Sequence, residues 1–347
     1  MPSFPVLMPF QANTPLVCGF GRYVPPRVVS NDDLALFVDT NDAWITSRTG
    51  IRQRHFAEGA VCNADLGLMA ARDTLARTGI PTTAITHILY GTCTADAAFP
   101  STACILASRL GISGALAVDV NAACASFVYA LEMARGLVAA TPEAVVLVVA
   151  TDILSKRLNW EDRSTCVLFG DGSSAAIVAA PAALSGNTLP DIPAARLLDV
   201  ACGSDGSLGH LLQARGGFSS HPYKMGETVG PEYFLQMQGR EVFKHAVRNM
   251  TEASRAILQR NHLAVDAIDV VVPHQANLRI IEAVCQRLGV ESKKIFINVD
   301  TMGNTSAASI PLALSEALDT GAIVPGNRVL VVTFGAGFTW AAAILQF

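Results

Sequence analysis

The chain is 347 residues long, with 51% hydrophobic residues, 16% charged residues and a formal net charge of −4. That length allows two domains or one large two-part unit, and the apolar excess implies a large core together with a buried subunit interface. The weak acidity argues against a nucleic-acid partner, and the lack of Lys/Arg runs argues against a polybasic membrane patch. The eight cysteines form no Cys-x-x-Cys pair, so no metal site or redox motif is expected. Scattered single cysteines point to a reducing, cytoplasmic setting.

Residues 1–14 hold no basic residue but contain Pro2, Pro5 and Pro9. They read as an N-terminal extension and not as a signal peptide. Residues 15–24 read as a first strand ending at Pro25-Pro26. Gly19-Phe20-Gly21 lacks the third glycine of a dinucleotide loop. Asn31-Asp32-Asp33 is expected to cap a short helix running toward Val38. Trp44, near Arg48 and Arg52, is either a stacking and phosphate site or a surface aromatic packed on arginine stems.

Residues 64–79 read as an amphipathic helix, 85–90 as a strand and 101–110 as a helix. The stretch 118–131 opens with β-branched residues, passes through a run of small residues and ends in an Ala/Leu helical pattern. It reads as strand, sharp turn, helix, with Cys124 at the turn. Helical N–H groups there lower a thiol pKa and make a nucleophile, although a free cysteine is also commonly a small buried apolar residue. Residues 145–150 form a continuous apolar run, read as a buried strand and far too short to cross a bilayer. Phe169-Gly170-Asp171-Gly172 leads into a strand at 175–179. Residues 181–193, rich in Pro, Ala and small polar residues, are the linker candidate.

The second half repeats the first. Ile85-Thr86-His87-Ile88-Leu89-Tyr90 resembles Ile268-Asp269-Val270-Val271-Val272-Pro273, and Val146-Leu147-Val148-Val149 recurs as Val329-Leu330-Val331-Val332, both 183 positions on. Arg109-Leu110-Gly111 recurs as Arg287-Leu288-Gly289, and Val118-Asp119 as Val299-Asp300 at offset 181. Phe169-Gly170-Asp171-Gly172 recurs as Phe334-Gly335-Ala336-Gly337. Alternating strands and helices in two such halves, 15–180 and 194–347, predict a pseudo-twofold αβαβα sandwich. Cys124 then corresponds to the Asn304-Thr305 turn, and Tyr90-Gly91 to Pro273-His274. Cys124, His274 and Asn304 are therefore expected to converge near the pseudo-axis. His274 follows an apolar strand, where catalytic groups of α/β folds gather. Asn304 serves equally as a turn residue with a left-handed backbone.

Four segments carry a resemblance: Asn121-Ala122-Ala123-Cys124, His274-Gln275-Ala276-Asn277, Gly303-Asn304-Thr305-Ser306-Ala307-Ala308-Ser309, and Phe334-Gly335-Ala336-Gly337-Phe338-Thr339-Trp340. With matching spacing from about residue 15 to 347, the chain resembles β-ketoacyl-acyl carrier protein synthase III, of the thiolase superfamily. The resemblance implies a thiolase-like fold and a Cys124, His274, Asn304 catalytic set. It implies acyl transfer from an acyl-CoA primer to Cys124, then decarboxylating condensation with malonyl-acyl carrier protein, initiating fatty acid synthesis. Backbone N–H groups of Cys124 and Ala336 would form the oxyanion hole; glycine is commoner in the family where Ala336 stands. Trp44 and Arg163 would sandwich the CoA adenine, with Arg48, Thr49 and Asn277 along the CoA tunnel. Lys244 and Arg279 would dock the acidic carrier protein, unless they form an ordinary solvated face. Phe99 would cross a homodimer interface into the partner's acyl pocket, and Phe334 would pack beside the cysteine. No cofactor is implied beyond the substrates. Arg240, in place of the asparagine of some members, and the segment 216–232 bear on the primer. A relative using a different acyl acceptor in secondary metabolism is the alternative enzyme, and a catalytically silent subunit is the alternative from another class. The intact Cys124, His274 and Asn304 argue against the latter.

Overall fold

The computed structural model describes residues 14–184 and 193–347. The expected extension, apart from its last residue, and most of the expected linker lie outside them. In chain order the elements are β1 (Leu16–Tyr23), β2 (Arg27–Ser30), α1 (Asn31–Ala35), α2 (Asp42–Thr49), β3 (Gln53–Phe56), α3 (Asn63–Thr78), β4 (His87–Gly91), α4 (Thr102–Leu110), β5 (Leu116–Val120), α5 (Ser126–Ala140), β6 (Val145–Asp152), β7 (Gly172–Ala179) and β8 (Ala194–Ser204). There follow β9 (Leu212–Gln213), β10 (Gln236–Met237), α6 (Gly239–Arg260), β11 (Val270–Pro273), α7 (Leu278–Leu288), α8 (Val299–Met302), α9 (Ser309–Asp319), β12 (Arg328–Gly335) and β13 (Thr339–Gln346). One local expectation shifts: Ser30, ahead of the Asn-Asp-Asp run, caps α1. Its hydroxyl accepts from Asp33 N while the Asp33 carboxylate accepts from Ser30 N, and this reciprocal pair sets the helix start.

The main sheet runs β5-β4-β6-β7-β1, then β8-β13-β12-β11. In the first half β4 is parallel to β5 and β6, while β7 is antiparallel to β6 and β1. The second half mirrors this, with β12 parallel to β11 and β13 antiparallel to β12 and β8. A parallel bridge from Val271 to Ile295 stands where β5 stands in the first half. The halves join edge to edge where β1 pairs with β8, from Leu16↔Arg196 to Cys18↔Ala194.

Alternation along the central strands builds the layers. On β6, Val146 and Val148 face the middle core, whereas Val145 and Leu147 face the core beneath α3 and α4. On β12, Val329 and Val331 face the same middle core, whereas Leu330 and Val332 face the core beneath α6 and α7. The middle core is filled by Leu131 and Ala134 of α5 and by Ile310 and Leu314 of α9. Helices, sheet, helices, sheet, helices give the expected αβαβα sandwich. Strands covered on both faces need apolar side chains throughout, which is why β6 reads as an unbroken run. The stretch 123–140 is apolar and long enough to cross a membrane. It is α5 with its preceding turn, and its packing between the two sheets accounts for that composition.

Although α4 and α7, which end at Leu110 and Leu288, are offset by 178, β4 and β11 as well as β6 and β12 are related by an offset of 183. The 3-10 turns at Ala123–Ala125 and Ser306–Ala308 match at that offset, as do the starts of α5 and α9 at Ser126 and Ser309. Ala123 and Ser306 share a left-handed backbone, with φ of 47° and 51°. The equivalent of Cys124 is therefore Ala307, and Asn304 answers to Asn121. This corrects the offset of 181 read from Val118-Asp119, which placed Asn304-Thr305 opposite Cys124. The offset breaks after β6, where residues 153–171 in the first half face only 336–338 in the second. That extra segment walls the site.

Candidate active site

The fold carries Cys124, His274 and Asn304 to one cavity of about 880 Å³. Cys124 is the middle residue of the turn before α5, His274 follows β11, and Asn304 precedes the turn before α9. All three are buried. Both turns are closed the same way: Asn121 Oδ1 accepts from Ala123 N at 3.2 Å, and Asn304 Oδ1 accepts from Ser306 N at 2.9 Å. Asn304 thus spends its carbonyl on the turn and keeps its amide N–H groups for the cavity. It does act as a turn former, but the left-handed residue is Ser306.

Cys124 Sγ lies 3.3 Å from Ser306 Oγ. Burial pushes the Cys124 thiol up to about 12, with the Ser306 hydrogen bond opposing the rise. The sequence expectation of a lowered thiol pKa is therefore corrected for the free enzyme. Loss of water around the sulfur outweighs what the helix N-terminus contributes. Burial also pushes His274 down to about 3, so its imidazole is neutral across the ordinary pH range. Its Nδ1 lies 2.5 Å from Ser309 Oγ. With that hydroxyl donating, Nδ1 is the lone pair and Nε2 carries the proton. Cysteine and histidine form a neutral pair, and the cavity offers donors where negative charge would develop.

Gly335 ends β12 against the Cys124 turn so closely that a Cβ there would meet Ala122 O and Cys124 N at 2.8 Å. Ala336 and Gly337 follow it along the cavity wall, and Phe334 also lines the cavity, with its ring 4.7 Å from that of Phe338. Asp152, at the end of β6, ties the halves together. Its carboxylate accepts from Cys93 N at 2.9 Å, Thr94 N at 3.1 Å and Ala307 N at 3.1 Å.

Trp44, Arg48, Thr49 and Asn277 line the same cavity. The Arg48 guanidinium lies 4.5 Å from the Trp44 ring centroid and that of Arg163 lies 5.1 Å from it. Arg163 also donates to Asp39 O at 2.8 Å. A flat ring stacked between two planar groups needs about 7 Å, so Arg163 has to swing away before one enters. Asn277 caps α7 and donates to Arg48 O at 3.1 Å, which joins two of these positions. The Thr49 hydroxyl donates to Ile45 O at 2.7 Å within α2. Arg240 lines the cavity, as does Phe218 from the segment 216–232. Phe99 stands outside the cavity at 85% exposure. Lys244 and Arg279 are exposed; Lys244 lies 2.7 Å from the Glu241 carboxylate, and Arg279 lies 6.0 Å from the Phe243 ring centroid.

Ser306, Ser309, Asp152, Cys93 and Arg157 were not singled out by sequence. The Arg157 guanidinium stacks 4.1 Å from the Tyr233 ring centroid beside the cavity. Ser306 and Ser309 lie within the segment 303–309 that carries the resemblance, and the repeat, taken at offset 183, pairs them with Ala123 and Ser126.

Residues 118–206 match the family model described as 3-oxoacyl-[acyl-carrier-protein (ACP)] synthase III, and residues 258–347 match the model of its C terminal. A β-ketoacyl-[acyl-carrier-protein] synthase III of Nitratidesulfovibrio vulgaris is 54% identical over 332 residues, covering 96% of this chain and 98% of the relative. One from Oleidesulfovibrio alaskensis is 52% identical over 330 residues, covering 95% and 98%. The crystal structure of 3-oxoacyl-[acyl-carrier-protein] synthase III from Aquifex aeolicus has a TM-score of 0.86 at 37% identity, covering 96% of this chain and all of that one.

Proposed function

The chain belongs to the β-ketoacyl-[acyl-carrier-protein] synthase III family, and we propose that its condensing reaction runs through an acyl group carried on Cys124. The observation behind this reading is that Cys124, His274 and Asn304 share one cavity with Trp44, Arg48 and Asn277. An acyl-CoA primer enters with its adenine on Trp44 and Arg163. Cys124 Sγ attacks the thioester carbonyl, and the oxyanion is held by backbone N–H groups of Cys124 and Ala336. CoA departs, and malonyl-acyl carrier protein takes its place. His274 Nε2–H and the Asn304 amide donate to the malonyl thioester oxygen, stabilising the enolate formed as carbon dioxide leaves. That carbanion attacks the acyl carbonyl carbon, the C–S bond to Cys124 breaks, β-ketoacyl-acyl carrier protein is released, and the Cys124 sulfur takes a proton from solvent. A fully buried neutral imidazole suits this task, because it remains a donor throughout and never competes as a cation. The reaction needs no cofactor beyond these substrates.

Lys244 and Arg279 are exposed and suit docking of the acidic carrier protein. The partner copy is read from the sheet edge: β5 leaves Leu116 and Val118 exposed, and Phe99 is more exposed still. Pairing β5 with its copy in a homodimer covers that edge and carries Phe99 toward the partner's acyl pocket. Light scattering that returned a monomer at micromolar concentration would contradict it. Cysteines that are all free among the described residues suit a cytoplasmic enzyme. Transfer to a different acceptor is not favoured, since relatives at 52–54% identity carry the synthase III name.

The test is intact mass after incubation with a panel of acyl-CoAs. One acyl group is expected, mapped to Cys124 by peptide mass, and the chain length taken up identifies the primer. An acyl group on another residue, or an acylated Cys124→Ala protein, would overturn the mechanism.

A further inference from the structure

We propose that Ser306 is a further catalytic residue, whose hydroxyl holds the Cys124 sulfur as negative charge gathers on it. This rests on the reading of Cys124 as the acyl carrier. Ser306 Oγ lies 3.3 Å from Cys124 Sγ, within hydrogen-bond reach of a sulfur.

The position of that hydroxyl is held from several sides. Ser306 adopts φ of 51°, a left-handed conformation uncommon for any residue but glycine. Its backbone N–H is fixed by Asn304 Oδ1, and the next N–H, of Ala307, is fixed by the Asp152 carboxylate. The equivalent turn in the first half shows what the conformation alone requires. Ala123 holds φ of 47° there with no hydroxyl. The turn therefore does not need a serine, and the hydroxyl is an addition, aimed across the pseudo-axis at the nucleophile of the other turn. Cys93 Sγ lies 3.9 Å from the same oxygen. A hydroxyl has one proton and two lone pairs. As Cys124 becomes a thiolate, Ser306 donates its proton to that sulfur and accepts from the Cys93 thiol, and each link polarises the next.

During loading, a C–S bond forms between the substrate carbonyl carbon and Cys124 Sγ, and the C–S bond to CoA breaks. The proton that leaves Cys124 ends on the departing CoA sulfur, so one thiol is consumed and one released. Ser306 finishes with the proton it began with. A hydrogen bond to a charged group shifts such an equilibrium by about tenfold to a hundredfold.

The test compares wild type with Ser306→Ala and Ser306→Gly. Alanine is already tolerated in this conformation at position 123, and glycine relieves any backbone strain. Alkylation of Cys124 by iodoacetamide, followed by peptide mass from about pH 7 to about pH 10, reads the thiolate without any acyl substrate. Both variants should be alkylated about tenfold more slowly at each pH, and single-turnover loading from acyl-CoA should fall similarly. Carbon dioxide release by enzyme already acylated should change less than about threefold. Folded variants alkylated at the wild-type rate would overturn the proposal. A Cys93→Ala protein slower than Ser306→Ala would also overturn it, by assigning the effect to Cys93. Failure of the acyl-CoA panel would refute the acyl-carrier reading separately, since alkylation does not depend on it.

Discussion

Replacing His274 with alanine separates the two halves of the reaction. His274 is neutral, with burial pushing it down to about 3, and Ser309 Oγ occupies Nδ1 at 2.5 Å. The ring therefore presents one donor, Nε2–H, and no cationic acid. Loss of one donor aimed at a developing oxyanion typically costs about 10²–10³ in rate, or about 2.7–4 kcal/mol of transition-state stabilisation. Decarboxylation, in which charge moves to the malonyl thioester oxygen, should bear that whole loss. Loading places its charge on an oxygen facing backbone N–H groups that the substitution leaves intact, so loading should fall less than about tenfold. Asn304→Ala should separate the steps less cleanly. It removes both an amide donor and the Oδ1 that fixes Ser306 N beside Cys124, so loading falls as well. The assays are acyl-enzyme mass after exposure to acyl-CoA, and labelled carbon dioxide released from malonyl-acyl carrier protein. If His274→Ala loses loading as fully as decarboxylation, the imidazole is the obligatory base for a thiol that burial holds near 12, and the division of roles is wrong.

Gly335→Ala should lower loading about 10²-fold while leaving the circular dichroism spectrum unchanged, because the new Cβ meets Ala122 O and Cys124 N at 2.8 Å and neither backbone atom can give way without moving the nucleophile. His274 also sets an acid limit on stability. Its folded value of about 3 lies below the ordinary histidine value of 6.5, so on acidification the unfolded chain takes up a proton that the folded chain refuses. Stability contributed in this way is lost as pH falls below about 6.5, by roughly 2 kcal/mol at pH 5. Urea unfolding of His274→Gln should show that much less loss between pH 8 and pH 5, and an unchanged pH dependence would refute the assignment. Trp44→Ala should raise KM for acyl-CoA about tenfold or more with little change in kcat, as expected for a lost base–aromatic stack. An equal KM for acyl-CoA and for a truncated acyl-pantetheine primer in wild type would argue that Trp44 contacts no adenine.

The alternation of strands and helices, the duplication and the convergence of Cys124, His274 and Asn304 were legible in the sequence, whereas β2, β3 and α6 were not. Local residue patterns, such as the unbroken apolar run of β6, mark the elements, and an internal repeat displays them twice. The shift from an offset of 183 at Val146 to 165 at Phe169 already implied extra residues between them in the first half. Three-dimensional packing decided what depends on neighbours distant in the chain. The 183-residue offset at the turns emerged only from the shared left-handed backbone of Ala123 and Ser306, since short side-chain matches there tolerate a shift of two residues. The rise of the Cys124 thiol reverses the sequence expectation, because desolvation is set by everything that closes around the sulfur, including residues more than 180 positions away. Ser306, Ser309 and Asp152 looked like ordinary turn and strand residues in sequence. They meet the nucleophile's turn, the imidazole and the opposite half of the protein only because two similar sheets fold back to back across a pseudo-twofold axis.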